Sequence, residues 1–130
     1  MNINPALHFE PRGIPAVERV IALEAQLGVK IPEQYRSFLL TTGGGYIRNG
    51  IVDCVWPTPF GECNITEFAD VDGIERSLDS EIVPRNMICI GGGHFGMTAT
   101  LSIAGIDHGC VYALDAEHRF YWTADVLSRP

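Results

Sequence analysis

The first third of the chain carries apolar residues at helical spacing. At 100° per residue, the apolar positions from 17 to 27 fall on one arc of a helix. They are Val17, Val20, Ile21, Leu23 and Leu27. Gly28 is placed to end this helix in a left-handed conformation, and Pro32 suits the first turn of the next helix because its missing N–H would be unpaired there. Further apolar residues at 35, 38 and 39 complete the pattern, which predicts a helix hairpin that turns at residues 29–31.

One charged residue interrupts the apolar arc. Glu24 lies inside it, where a bare carboxylate is costly unless a cation or backbone amides meet it. We expect this carboxylate to accept hydrogen bonds from amides at the start of the second helix or in the Gly43–Gly45 loop, and so to fix the hairpin angle. A recessed catalytic acid is the alternative, but Glu24 has no companion at a suitable spacing. The residues predicted to be structural are Glu24, Gly28, Pro32, Gly43 and Gly44.

The second half of the chain alternates as β-strands do. From position 97 to 103, apolar residues alternate with Thr98, Thr100 and Ser102, which predicts a half-buried strand. Strands at 87–90 and 110–114 flank it across glycine-containing loops, so antiparallel pairing in chain order is expected. Residues 120–122 are a candidate last strand.

The middle of the chain is less regular. Residues 50–56 and 65–68 are rich in β-branched and aromatic residues and are candidate strands, and residues 71–80 read as a loop with an Asp-Gly turn and a short helix. Together these elements predict an α+β fold in which the N-terminal helix hairpin packs on a largely antiparallel β-sheet. A length of 130 residues, without repeats or linkers, predicts a single domain over 1–130.

Charge is concentrated in the middle third of the chain. Residues 53–81 hold eight acidic residues and one arginine, a net charge of −7, and the remainder of the chain is balanced. Such a segment repels phosphate, so a nucleic acid or an anionic membrane is disfavoured as a ligand, and a basic protein partner is favoured. An ordinary solvated acidic face is the alternative. The first residues lack the character of a secretion signal, which favours a cytoplasmic location with reduced cysteines.

Catalytic and ligand-binding motifs are sparse. Gly91–Gly96 satisfies G-x-G-x-x-G, but the residues that follow alternate as a strand, whereas a dinucleotide site needs a helix there. The cysteines show no C-x-x-C pair or Cys-His repeat, so no metal site is expected. A Cys-His nucleophile, from Cys89 and His94 or from Cys110 and His108, stays open because such pairs are spatial. We expect no enzymatic activity and no cofactor.

The hairpin residues resemble the N-terminal signature of the SUKH superfamily. The matching positions are Ile21, Glu24, Leu27, Gly28, Pro32, Tyr35, Phe38, Leu39, Gly43 and Gly44. A weaker match lies downstream, at Gly96, Leu101, Gly109, Val111, Tyr112 and Asp115. The superfamily groups fungal cell-wall synthesis regulators with bacterial immunity proteins, and the resemblance implies the same α+β architecture.

The resemblance and the acidic middle segment favour a noncatalytic immunity protein that binds a cognate polymorphic toxin. Many such toxins are nucleases with basic clefts, which an acidic surface would occupy as a phosphate mimic. The predicted partner-binding residues are Asp53, Glu62, Glu67, Asp70, Asp72 and Glu75, with Tyr46, Trp56 and Phe60 as aromatic anchors. Two alternatives remain: a regulatory scaffold that engages several proteins through a sheet edge or the glycine loops, and a small-molecule-binding domain that uses the Gly91–Gly96 loop.

Overall fold

The fold is α+β, as predicted. The computed structural model describes residues 9–47, 52–58, 61–80, 83–93, 98–114 and 120–122. The helices are α1 (Val17–Leu27), α2 (Glu33–Thr42) and α3 (Val71–Ser77). The strands are β1 (Phe9–Pro11), β2 (Gly45–Ile47), β3 (Val52–Thr58), β4 (Gly61–Ile65), β5 (Glu67–Phe68), β6 (Met87–Gly92), β7 (Thr98–Ser102), β8 (Val111–Leu114) and β9 (Phe120–Trp122).

Within the described residues, seven strands form the main sheet, in the order β1-β2-β5-β6-β7-β8-β9. Strands β3 and β4 form a separate antiparallel hairpin. Every pair in the main sheet is antiparallel. From β6 to β9 each strand pairs with the next one along the chain, which confirms the predicted sequential pairing.

The helix hairpin forms where the periodicity predicts it. Helix α1 ends at Gly28, which has a φ of 78° and donates its N–H to the Glu24 carbonyl. Pro32 caps α2, and its carbonyl accepts the N–H groups of Tyr35 and Arg36 at 3.0 Å. Helix α2 ends at a second left-handed glycine, Gly43, with a φ of 76°.

The hairpin and α3 cover the inner face of the main sheet. The core combines residues from all three helices and the main sheet with Ile31 from the hairpin turn, Ile65 from β4 and Ile103 after β7. Its other members are Val20, Leu23, Tyr35, Phe38, Leu39, Phe68, Val71, Ile74, Ile88, Ile90, Ala99, Leu101 and Val111. The hydroxyl of Tyr35 lies 2.6 Å from the Ala69 carbonyl oxygen and 3.0 Å from that of Ile90. This phenol therefore ties α2 to β6 and to the segment that leads into α3.

The apolar arc of α1 is rotated from the predicted one. Val17 and Ile21 are 44% and 52% exposed, whereas Glu24 is 8% exposed. The buried face is centred on Val20 and Leu23, so the two exposed residues fall on its flank. Helical spacing groups all of these residues within one broad arc, and packing against the sheet decides which edge of that arc is covered.

Residues 98–102 form the predicted strand, β7, but the prediction that this strand is half-buried was wrong. Thr100 and Ser102 in β7 are fully buried, like their apolar neighbours Ala99 and Leu101. The Thr100 hydroxyl donates to the Tyr112 carbonyl at 3.3 Å, and the Ser102 hydroxyl lies 2.8 Å from a carboxylate oxygen of Asp107. These bonds allow small polar side chains to be buried on the second face of the sheet.

Two middle segments also differ from prediction. The predicted Asp-Gly turn at 72–73 lies in the first turn of α3, where the Asp70 carboxylate accepts the Gly73 N–H at 2.7 Å. The predicted strand at 65–68 is divided at Thr66, because β4 belongs to the separate hairpin and β5 to the main sheet. The predicted strand at 50–56 corresponds to β3, and residues 50–51 lie outside the described residues.

Candidate functional site

A crossing of two backbone segments positions the first element of the site. Residues 12 and 13 pass over the glycine loop that follows α2: the Arg12 N–H donates to the Gly44 carbonyl at 3.0 Å, and the Gly13 N–H to the Thr42 carbonyl at 3.1 Å. A Cβ atom on Gly43 would lie 1.8 Å from the Gly13 carbonyl oxygen. Only glycine allows this approach, which places the Arg12 side chain beside β5.

The outer face of the main sheet contributes the second element. Tyr46 on β2 stands directly opposite Glu67 on β5, with Glu10 on its other side. The row continues through Gly92 on β6 to Thr98 on β7. Tyr46 is 42% exposed and Glu67 is also exposed, so this row faces away from the core.

Helix α3 contributes most of the acidic groups. Arg12 links Glu67 to Asp70: its Nη2 lies 3.4 Å from the Glu67 carboxylate, and its Nε lies 4.0 Å from that of Asp70. Arg19 on α1 forms an ion pair and hydrogen bond with Asp72. The hydrogen bond and charge of Asp72 raise the pKa of Arg19, and the charges of Glu75 and Asp70 add to this effect. The three acids of this segment therefore converge around one guanidinium.

The structure brings together five of the nine residues predicted to bind a partner. They are Tyr46, Glu67, Asp70, Asp72 and Glu75, and with Arg12, Arg19 and Arg76 they form what we call the charged surface. The backbone places Asp53, Trp56 and Glu62 on the separate β3–β4 hairpin, where Asp53 stands opposite Asn64 and Glu62 opposite Pro57. Phe60 lies outside the described residues.

A cleft of about 420 Å³ opens within the charged surface, between β6 and α3. Arg12, Glu67, Asp70 and Arg76 line one side, and the backbone of Gly91–Gly93 lines the other, with Thr66, Cys89 and Thr98. Burial raises the pKa of the Cys89 thiol, which favours the protonated form over the nucleophilic thiolate. The next element described after the glycine segment is the strand β7, whereas a dinucleotide site would need a helix after its glycines.

A family comparison agrees with this architecture. The model of the SMI1 / KNR4 family (SUKH-1) matches residues 15–128. The chain belongs to this family. The match confirms the SUKH resemblance carried by the hairpin residues and extends it over nearly the whole chain. No curated protein is significantly similar in sequence to this SUKH-1 family member.

The arginines of the charged surface were not predicted from the sequence. Arg12 and Arg19 reach the acids from positions 55 and 53 residues away, so the distribution of charge along the chain does not reveal them. The charged surface carries four carboxylates and three guanidiniums, a net charge of −1. The sequence contains no local signal for this pairing, because the glycine crossing and the packing of α1 against α3 create it.

The described residues of this SUKH-1 family member also bear on a metal site, a Cys-His pair and a membrane-spanning helix. Among the described residues, no group of three or more His, Cys, Asp or Glu side chains is arranged to hold a metal ion. His94 lies outside the described residues, and within them no hydrogen bond joins Cys110 to His108. In the part of the chain that the structure describes, no helix is both long enough and apolar enough to cross a membrane.

Proposed function

We propose that this chain is a noncatalytic immunity protein that neutralises a cognate polymorphic toxin by binding it through the charged surface. Membership in the SMI1 / KNR4 family (SUKH-1) supports the proposal. The observation that carries it is the convergence of Tyr46, Glu67, Asp70, Asp72 and Glu75 on neighbouring parts of one surface. Exposed carboxylates beside an exposed aromatic ring are typical of surfaces that recognise basic proteins.

The arginine pairs change how such a surface would work. Arg12 and Arg19 form ion pairs that partly neutralise the carboxylates of Glu67, Asp70 and Asp72. The surface therefore presents positive and negative charges side by side. A partner must then match the pattern of charges, since a like charge at any position is unfavourable. We infer that this surface selects one toxin over related ones, beyond attracting basic proteins in general.

The experiment measures binding to the protein encoded beside this chain's gene. Asp72→Asn/Glu75→Gln removes two surface charges from α3, and Glu18→Gln/Glu33→Gln removes two exposed charges from the helix hairpin as a matched control. We expect the α3 variant to bind about tenfold more weakly or worse, with slower association, and the control to bind as the wild type does. Absence of a wild-type complex, or equal affinity in the two variants, would refute the proposal. Asp70 is left intact because it caps α3.

A regulatory scaffold is the second candidate. Ile106 is the most exposed large apolar residue among those described, at the tip of the turn between β7 and β8. This turn lies at the opposite end of β7 from Thr98, so it offers a second contact distant from the charged surface. Gene neighbourhood separates the two candidates, because an immunity gene lies next to a toxin gene and a scaffold gene need not.

A further inference from the structure

The outer face of the main sheet has a gap in one row of side chains. Tyr46, Glu67, Gly92 and Thr98 stand opposite one another on four neighbouring strands. Because Gly92 has no side chain, the row is interrupted between Glu67 and Thr98. The cleft of about 420 Å³ opens at this interruption.

The floor of the cleft suits a flat group. Gly91–Gly93 present backbone without side chains, and the ladder between β6 and β7 shifts register between Cys89 and Gly91. Aromatic rings pack well over glycine in β-sheets, where they cover the exposed peptide groups. The sulfur of Cys89 also lines the cleft and can make favourable contact with a ring edge.

The charges of the cleft disfavour an ionic occupant. Arg12 and Arg76 line it together with Glu67 and Asp70, so these four charges sum to zero and an added ion of either sign meets like charges as well as opposite ones. Arg12 is held by both acids, whereas Arg76 forms no ion pair or hydrogen bond with any residue that the structure describes. A guanidinium in this state can stack on the face of an aromatic ring.

We propose that this cleft receives one aromatic side chain of a protein partner, with the ring over Gly92 and beside the guanidinium of Arg76. The inference rests on the proposed function for the partner being a protein. Aromatic anchors seated in a pocket contribute a large share of the affinity at protein interfaces. Tyr46, in the same row, would then border the inserted ring.

The experiment titrates the isotopically labelled full chain with three small probes and follows backbone amide shifts by NMR. N-acetyl-tryptophanamide and N-acetyl-tyrosinamide carry rings, and N-acetyl-aspartic acid amide carries a carboxylate. We expect the two ring probes to cause saturable shifts at Gly91–Gly93, Thr66 and Thr98. Arg76→Ala should weaken their binding about threefold. Arg85→Ala, an exposed arginine that does not line the cleft, should leave it unchanged.

Thr98→Trp tests where the probes bind, because the indole ring should fill the gap beside Gly92. It should abolish the ring-induced shifts in a chain that keeps its native spectrum, and if this variant does not fold, the Arg76→Ala comparison decides. Binding of the acidic probe alone, ring-induced shifts that survive Thr98→Trp, or absence of saturable shifts would overturn the proposal. Failure to bind the neighbouring gene's product would refute the proposed function and leave the ring titrations intact, so the two failures are distinguishable.

Discussion

The Glu24 carboxylate accepts the backbone N–H of Ile31 at 2.8 Å, across the turn that joins α1 to α2. The same carboxylate meets the Nε of Arg36, which lies 3.2 and 3.1 Å from its two oxygens. The side chains of this pair are 9% and 22% exposed, so the charges are largely withdrawn from water. A charge-assisted network thus closes the hairpin at the one acidic residue in its apolar arc.

Glu24→Gln should lower the free energy of unfolding by about 1 to 3 kcal/mol. The amide retains an acceptor for Ile31 but offers no negative charge to Arg36, which is then left partly buried and unpaired. Urea unfolding at neutral pH measures the change. Glu33→Gln, an exposed charge on the same hairpin, is the control and should unfold at the wild-type midpoint. A wild-type midpoint in Glu24→Gln would contradict this account of the hairpin.

Gly28→Ala and Gly44→Ala separate backbone strain from steric overlap. The two glycines have φ values of 78° and 80°, but a Cβ on Gly28 meets nothing within 4 Å, whereas one on Gly44 lies 2.7 Å from the Ala69 carbonyl oxygen. Gly28→Ala should cost about 1 to 2 kcal/mol, the ordinary penalty of a left-handed alanine. Gly44→Ala should cost clearly more, because backbone must move as well. Thermal unfolding of both variants makes the comparison, and equal losses would show that Gly44 is not tightly packed against the Ala69 backbone.

Tyr112 should make stability depend on alkaline pH. Its hydroxyl donates to the Asp107 carboxylate at 2.8 Å, and this bond raises the pKa of Tyr112 to about 12. In the unfolded chain the phenol ionises near pH 10, so its contribution is complete below about pH 10 and is lost as pH rises to about 12. The contribution of Tyr35 to folding stability is also lost as pH rises, since burial raises the pKa of this phenol too. The difference between wild type and Tyr112→Phe in urea unfolding therefore isolates Tyr112, and it should shrink across this window.

The contact between Tyr112 and Asp107 should also make folding stability depend on acidic pH. The hydroxyls of Tyr112 and Ser102 lower the pKa of Asp107. Its contribution is therefore present above the ordinary pKa of an aspartate and is lost as pH falls through the lowered value. Asp107→Asn should remove the acidic pH dependence due to Asp107 and the alkaline pH dependence due to Tyr112 together, and should leave the alkaline contribution of Tyr35. If the variant kept the wild-type pH dependence of unfolding at both ends, other groups would be responsible for it.

Local periodicity and end signals carried enough information to predict most of the fold. The two helices of the hairpin follow local periodicity, with α1 ending at Gly28 and α2 beginning at Pro32, and the strands after residue 87 pair with their neighbours along the chain. Burial of Thr100 and Ser102 was not predictable in this way, because it depends on partners that small hydroxyl side chains find only in the folded sheet. The same applies to the exposed flank of α1 at Val17 and Ile21.

The candidate site was predictable in part. The acidic segment identified Glu67, Asp70, Asp72 and Glu75 from the sequence, and the structure gathers them with Tyr46. The arginines that share their charge come from distant positions, and the cleft arises from strand register at Gly92. Both depend on contacts that form only when remote segments meet. Their role in binding stays a prediction until a partner is tested.

Where residues 12 and 13 pass over the glycine loop, buried glycines determine the position of the exposed Arg12 charge. Because the segment that carries Arg12 can lie there only when Gly43 and Gly45 have no side chains, a methyl group added inside the molecule would displace a positive charge outside it. The charged surface would then become more acidic without any change to an ionisable residue. Under the proposed function, a substitution at either of these glycines would therefore change partner preference while every charged position stays the same.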